Sequence, residues 1–167
     1  IIDDKFLSST TFEVLMEEII KSFSESSNKS IELDCKSDSN KTIIQRNPEL
    51  VYGIRNFIGN AVKFSKEKVL ITIFSDKENV VVRINDDGDG FPNDVLSLLG
   101  EPYIKSKIST NQSGLGLGTF LGKTLLNRKS AKVMFDNNSS LKGARVSIQW
   151  NIKDLIASPL VGPAGNH

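Results

Sequence analysis

Apolar side chains return at helical spacing at Phe12, Leu15, Met16, Ile19, Ile20 and Phe23, which predicts a helix with one buried stripe. Thr10-Thr11-Phe12-Glu13 has the spacing of a capping box, with Thr10 as the cap and Glu13 reaching back. Residues 24–30 are polar and read as a loop. Ile31, Leu33 and Cys35 alternate with polar residues, the period of a short strand. A second helix is predicted from Pro48 to Phe64, capped by Asn47, with Leu50, Ile54, Phe57 and Ala61 turned to the core. Two strand-like runs, 69–75 and 79–85, follow, joined by the short polar connection 76–78.

From 86 to 118 the chain is rich in Gly, Ser, Asn and Lys and reads as one long loop region, interrupted by a short apolar piece at 95–99. A helix over 117–128 and a closing strand pair, 131–135 and 144–150, complete the order. In the last strand Ala144, Val146, Ile148 and Trp150 share one face, and Arg145, Ser147 and Gln149 the other. This mixed order predicts an α/β sandwich of two layers, helices on one face of a sheet.

Composition narrows the function classes. The 167 residues fit one domain with short extensions, and 21 basic side chains nearly cancel 20 acidic ones. That balance gives no reason to propose a nucleic-acid groove or an anionic membrane as partner. The apolar runs are far too short to span a bilayer, and the first residues lack the pattern of a secretory leader. Cys35 has no second cysteine to pair with and is expected to be a small buried strand residue. The one histidine, His167, ends a Pro/Gly-containing tail, so histidine-based catalysis and histidine metal sites are excluded.

Three clusters carry chemistry. Asn56, Asn60 and Lys63 stand at i, i+4 and i+7 of the second helix and share a face. Carboxamide oxygens are hard donors suited to Mg²⁺, and a lysine one turn later can meet phosphate; a solvated helix face has the same composition. Asp86-Asp87-Gly88-Asp89-Gly90 follows a strand directly, and its glycines allow a sharp turn and close approach to a ligand. A simple tight turn is the plain alternative. A calcium loop fits poorly, because position 12 counted from Asp87 is Leu98 rather than a glutamate. Gly114-Leu115-Gly116-Leu117-Gly118 opens the last helix, where backbone N–H groups and the helix dipole favour anions. No strand precedes it as a Rossmann fingerprint requires, and Lys123 lies too far on for a Walker motif.

In this order and spacing the clusters resemble the N, G1, F and G2 boxes of histidine-kinase catalytic domains, relatives of gyrase, Hsp90 and MutL. Asn56-x-x-x-Asn60-Ala61-x-Lys63-Phe64-Ser65 is similar to the N box, Asp86 to Gly90 to G1, Glu101-Pro102-Tyr103 to F, and Gly114 to Gly118 to G2, while Gly143-Ala144-Arg145 resembles the turn before the last strand. The resemblance implies a Bergerat α/β sandwich over about 1–152, a lid over about 100–113 and a partly disordered tail at 153–167. It implies that Asn60 carries Mg²⁺ and that Asn56 and Lys63 hold the ATP triphosphate. Asp86 would read the adenine amine, with Gly88 and Gly90 at the base and Phe64 and Tyr103 as packing or lid residues. Lys107 would fold over the phosphates, and Gly114, Leu115, Gly116, Leu117 and Gly118 would line them; Lys105 reads as a solvated lysine.

One position separates the subfamilies. ATP-hydrolysing members place a glutamate base where this chain has Asn56, and the anti-sigma-factor serine kinases have a similar carboxylate there. An amide cannot take a proton near neutral pH, whereas a histidine acceptor already has a lone pair. The run 116–126 and the Glu-Pro-Tyr lid start look most like the RegB/PrrB-type redox sensor kinases. By that resemblance the domain is cytoplasmic, within a dimeric, membrane-anchored parent. It would donate the γ-phosphoryl group of ATP to a histidine on a preceding dimerisation domain, from which a response regulator is phosphorylated. Cys35 matches no sensing cysteine of that group. A nucleotide-dependent regulatory module without phosphotransfer is the rival.

Overall fold

Two antiparallel strands, β1 (Ser9–Thr11) and β3 (Ile43–Gln45), pair in a small sheet beside the first helix, α1 (Phe12–Ser24). The computed structural model describes residues 9–36, 43–99 and 116–155. The main sheet is built from β2 (Ser30–Cys35), β4 (Lys68–Ser75), β5 (Asn79–Asp86), β6 (Lys132–Asp136) and β7 (Arg145–Asn151), in the order β2-β4-β5-β7-β6. β2 runs parallel to β4, and the other pairs are antiparallel. The remaining helices are α2 (Pro48–Phe64), α3 (Asn93–Leu99), α4 (Gly116–Arg128) and the single turn α5 (Ile152–Leu155).

The two-layer packing follows from period. Val69, Ile71 and Ile73 on β4, Val80, Val82 and Ile84 on β5, and Val146, Ile148 and Trp150 on β7 alternate onto one face. Register puts Ile71 opposite Ile84 and Ile84 opposite Val146, so that face is continuous. Against it lie Phe12, Leu15, Met16 and Ile19 of α1 and Leu50, Ile54, Phe57 and Ile58 of α2. The Phe12 and Trp150 rings meet at 5.3 Å. The fold is therefore the expected mixed-sheet α/β sandwich with helices on one face.

Local details differ from the sequence expectation. The cap of α1 is Thr11, whose Oγ1 accepts from the Val14 N–H at 3.2 Å. Thr10 is instead held in β1, opposite Ile44; the strand pairing keeps residues 9–11 extended and starts the helix one residue later. The apolar piece at 95–99 is part of the short helix α3, because Val95 and Leu99 pack with Phe120. Cys35 is half-buried rather than buried. Residues 152–155 pack on the domain: Ile152 N–H donates to Glu78 O at 2.8 Å, and Leu155 joins the core; the rest of the expected tail lies outside the described residues.

Candidate functional site

α2 forms where Pro48 pre-sets the first turn and Asn47 Oδ1 accepts from the N–H groups of Glu49 and Leu50. Its apolar stripe docks on the sheet, which turns Asn60 toward a cavity of about 220 Å³. Asn60, Phe64, Asp86, Gly90 and Thr119 all line this cavity. Phe57, Phe91 and Phe135 give it an aromatic wall, with Phe135 edge-on to both of the other rings.

Asp86 ends β5 and is only 5% exposed. Its Oδ1 accepts from the N–H of Gly88 at 2.9 Å and of Ala144 at 3.1 Å. Burial pushes its carboxyl above the usual carboxylate range, and these two bonds pull the other way. Its backbone is held as firmly: Ser139 Oγ and Gly143 N–H both donate to Asp86 O.

The loop after Asp86 has little room for side chains. A Cβ on Gly88 would meet the carbonyl oxygen of Phe64, and one on Gly143 would meet Asp86 Oδ1 and the Gly88 nitrogen. Gly90 has φ +84°, the left-handed region. Asp87 accepts from the N–H groups of Lys66 at 2.7 Å and Glu67 at 3.1 Å. Desolvation acts to raise its pKa, but the backbone N–H groups of Lys66, Glu67 and Lys68 together hold it below the usual value. The acidic run thus ties the loop to the residues after α2.

α4 begins at Gly116 and packs closely on α2. Gly53 faces Leu126 and Gly122 faces Asn56, each too near for an added methyl at ordinary contact distance. Thr119, 2% exposed, accepts from Asn60 Nδ2 at 3.0 Å. With its amide nitrogen engaged, Asn60 has a carbonyl oxygen to offer, a hard donor that suits Mg²⁺. Among the described residues no group of three or more His, Cys, Asp or Glu could hold a metal ion.

Asn56 and Lys63 share the face of Asn60 but do not line the cavity. Asn56 Oδ1 is buried near Gly122, without a hydrogen-bond partner among the described residues. Lys63 is exposed, its ammonium 5.2 Å over the Phe64 ring. Gly88 shapes the loop from behind. Gly116, Leu117 and Gly118 form the first turn of α4; Tyr103, Lys105, Lys107, Gly114, Leu115 and the expected lid lie outside the described residues.

Sequence reasoning missed Thr119, Asn137, Ser139 and Lys29. Lys29 Nζ donates to the carbonyls of Val62 and Ser65, both at 2.7 Å, and so caps the C-terminal end of α2. Thr119 lies in the run 116–126 but carried no assigned role, and the other three lie in no recognisable motif; each matters through contacts with residues distant in the chain.

This mixed-sheet α/β architecture is that of solved histidine-kinase ATP-binding domains. The catalytic domain of histidine kinase ThkA superposes with a TM-score of 0.69 at 16% identity, over 86% of this chain and 96% of that one. The ATP-binding domain of PrrB from Mycobacterium tuberculosis gives 0.63 at 21% identity, over 91% and 97%. At these identities the likeness is one of fold. The chain belongs to the family described as histidine kinase-, DNA gyrase B- and HSP90-like ATPase, which matches residues 45–154. It is 33% identical over 136 residues to the sensor histidine kinase RegB of Cereibacter sphaeroides, covering 71% of this chain. The chain spans 29% of the length of that relative. Among the described residues no helix is long and apolar enough to cross a membrane.

Proposed function

We propose that the chain binds Mg·ATP with the base at Asp86 and the phosphates toward Asn60 and the start of α4, and donates the γ-phosphoryl group to a histidine on a separate dimerisation domain. The observation that carries this reading is the meeting of Asn60 and Asp86 at one cavity. Asp86 accepts from the exocyclic amine of adenine, and Gly90 backs the base beside the aromatic wall. Lys63 meets phosphate charge, as do Lys107 and the N–H groups of residues 114–118. Tyr103 belongs to the same lid. Asn60 would hold Mg²⁺ through its carbonyl oxygen, and the ion would supply charge neutralisation at the phosphates.

Asn56 removes no proton. In the transfer, the bond from the γ-phosphorus to the ADP oxygen breaks and a bond to an imidazole nitrogen forms. The electron pair leaves with ADP, and the imidazole N–H proton passes to solvent. Positioning and charge neutralisation carry the rate. The absence of a base at Asn56 favours this acceptor over water or serine. In the intact parent, a dimeric, membrane-anchored sensor of RegB type, the phosphohistidine would serve a response regulator.

The test mixes the chain with a purified dimerisation domain bearing its histidine and γ-labelled ATP. Acid-labile phosphohistidine is expected, with little labelling of the chain alone. Tight ATP binding with no transfer would instead support a nucleotide-dependent regulatory module.

A further inference from the structure

Asn137, the first residue after β6, bonds both polar atoms of its side chain to one other residue. Its Oδ1 accepts from the Phe91 N–H at 2.7 Å, and its Nδ2 donates to the Phe91 carbonyl at 2.9 Å. A carboxamide here does what a neighbouring strand would do: it satisfies donor and acceptor of one residue together. Aspartate could only accept, and alanine could do neither.

The clamped residue matters for where it stands. Gly90 and Phe91 both line the cavity, and Gly90 is itself the positive-φ residue of the turn that leads away from Asp86. A Cβ on Gly90 would stand 2.8 Å from Asn137 Oδ1, so glycine and amide are fitted to each other. Two residues on, Ser139 donates to Asp86 O at 2.8 Å. The connection between β6 and β7 therefore grips the loop at Asp86 and again at Phe91. Asn137 itself does not line the cavity.

We infer that Asn137 is a positioning residue for the nucleotide site: without touching nucleotide, it fixes the Gly90–Phe91 backbone that forms the wall beside Asp86. This rests on the nucleotide reading above. The second partner of the clamp is backbone, so the effect belongs to residue 137 alone and not to a side-chain pair.

The experiment titrates Mg·ATP into the 167-residue chain, and into Asn137→Ala, Asn137→Asp and the neighbouring control Asn138→Ala. Expected is a Kd raised about three- to tenfold by Asn137→Ala, the size of one or two modest hydrogen bonds. Asn137→Asp, which keeps the acceptor, should fall between, Asn138→Ala should match the unaltered chain, and amide exchange at Phe91 should quicken in Asn137→Ala. Melting temperatures should stay within about 3 °C of one another, under about 1 kcal/mol for a domain of this size. If Asn137→Ala binds like the unaltered chain, the inference fails while the nucleotide reading stands. A loss that merely tracks a large fall in melting temperature, with no partial rescue by aspartate, also overturns it. Should the unaltered chain bind no Mg·ATP, both fail.

Discussion

Asn60 on α2 donates its side-chain Nδ2 to Thr119 Oγ1 on α4 at 3.0 Å, joining positions 59 residues apart. The bond links α2 to the first turn of α4, and it orients the Asn60 amide. Asn60→Ala should abolish the Mg²⁺-dependent part of ATP affinity while some metal-free binding persists. Thr119→Val should weaken the same part by about 1 kcal/mol, because the amide loses its guide rather than its oxygen. ATP titrations with and without Mg²⁺ measure both; equal losses in the two conditions would contradict the metal role.

Asp86→Asn should move affinity and stability in opposite directions. Replacing the acceptor proposed to meet adenine by a donor should weaken ATP binding by about 1–3 kcal/mol. The unliganded fold should respond otherwise. Burial raises the folded pKa of Asp86 above 3.8, so the stability linked to its protonated form is complete below that value and lost as pH rises through the folded pKa. The neutral variant escapes that loss. Its melting temperature should match or exceed that of the unaltered chain at pH 7, and the gap should close as pH falls toward 3.8. Asp87 and Asp136, whose pKa values are lowered, are present in both proteins and cancel.

Gly88→Ala places a methyl against the Phe64 carbonyl oxygen, a backbone atom that cannot swing aside. A loss of about 1–3 kcal/mol is expected, seen as a melting temperature lower by roughly 3–10 °C. Gly122→Ala is the comparison. Its Cβ would stand 3.3 Å from the Asn56 side chain, and alanine is favoured over glycine within a helix by about 1 kcal/mol, so its cost should be clearly smaller. Thermal melts of the two variants decide this.

Cys35 should be a sluggish thiol. Burial and the adjacent Glu13 carboxylate push its pKa from 9.0 up to about 11, so little thiolate exists near neutral pH. Alkylation by iodoacetamide at pH 8 should run at least about tenfold slower than that of a free cysteine. Reaction at the free-cysteine rate would show that the thiol is open and ionised.

The elements with a continuous period were legible in advance. α2 carried both a cap and a long apolar stripe, and β4, β5 and β7 alternated cleanly, so local chemistry and burial agreed. β1 and β3 were not legible, since three residues of strand carry no period and exist only as a pair. α3 was hidden for a similar reason: seven residues make a helix here because Val95 and Leu99 find Phe120, and nothing local announces that contact.

From its residues alone the chain revealed the asparagine stripe, the aspartate–glycine loop and the glycine-led helix, because each is a short run whose chemistry depends on spacing within one element. Tertiary structure alone decided that Asn60 and Asp86 share a cavity and that Asn56 is turned toward Gly122. It also decided that Ser139, Asn137 and Lys29 hold the surrounding backbone. Those relations come from strand order and helix docking. A hydrogen bond across tens of residues leaves no periodic mark on the sequence that makes it.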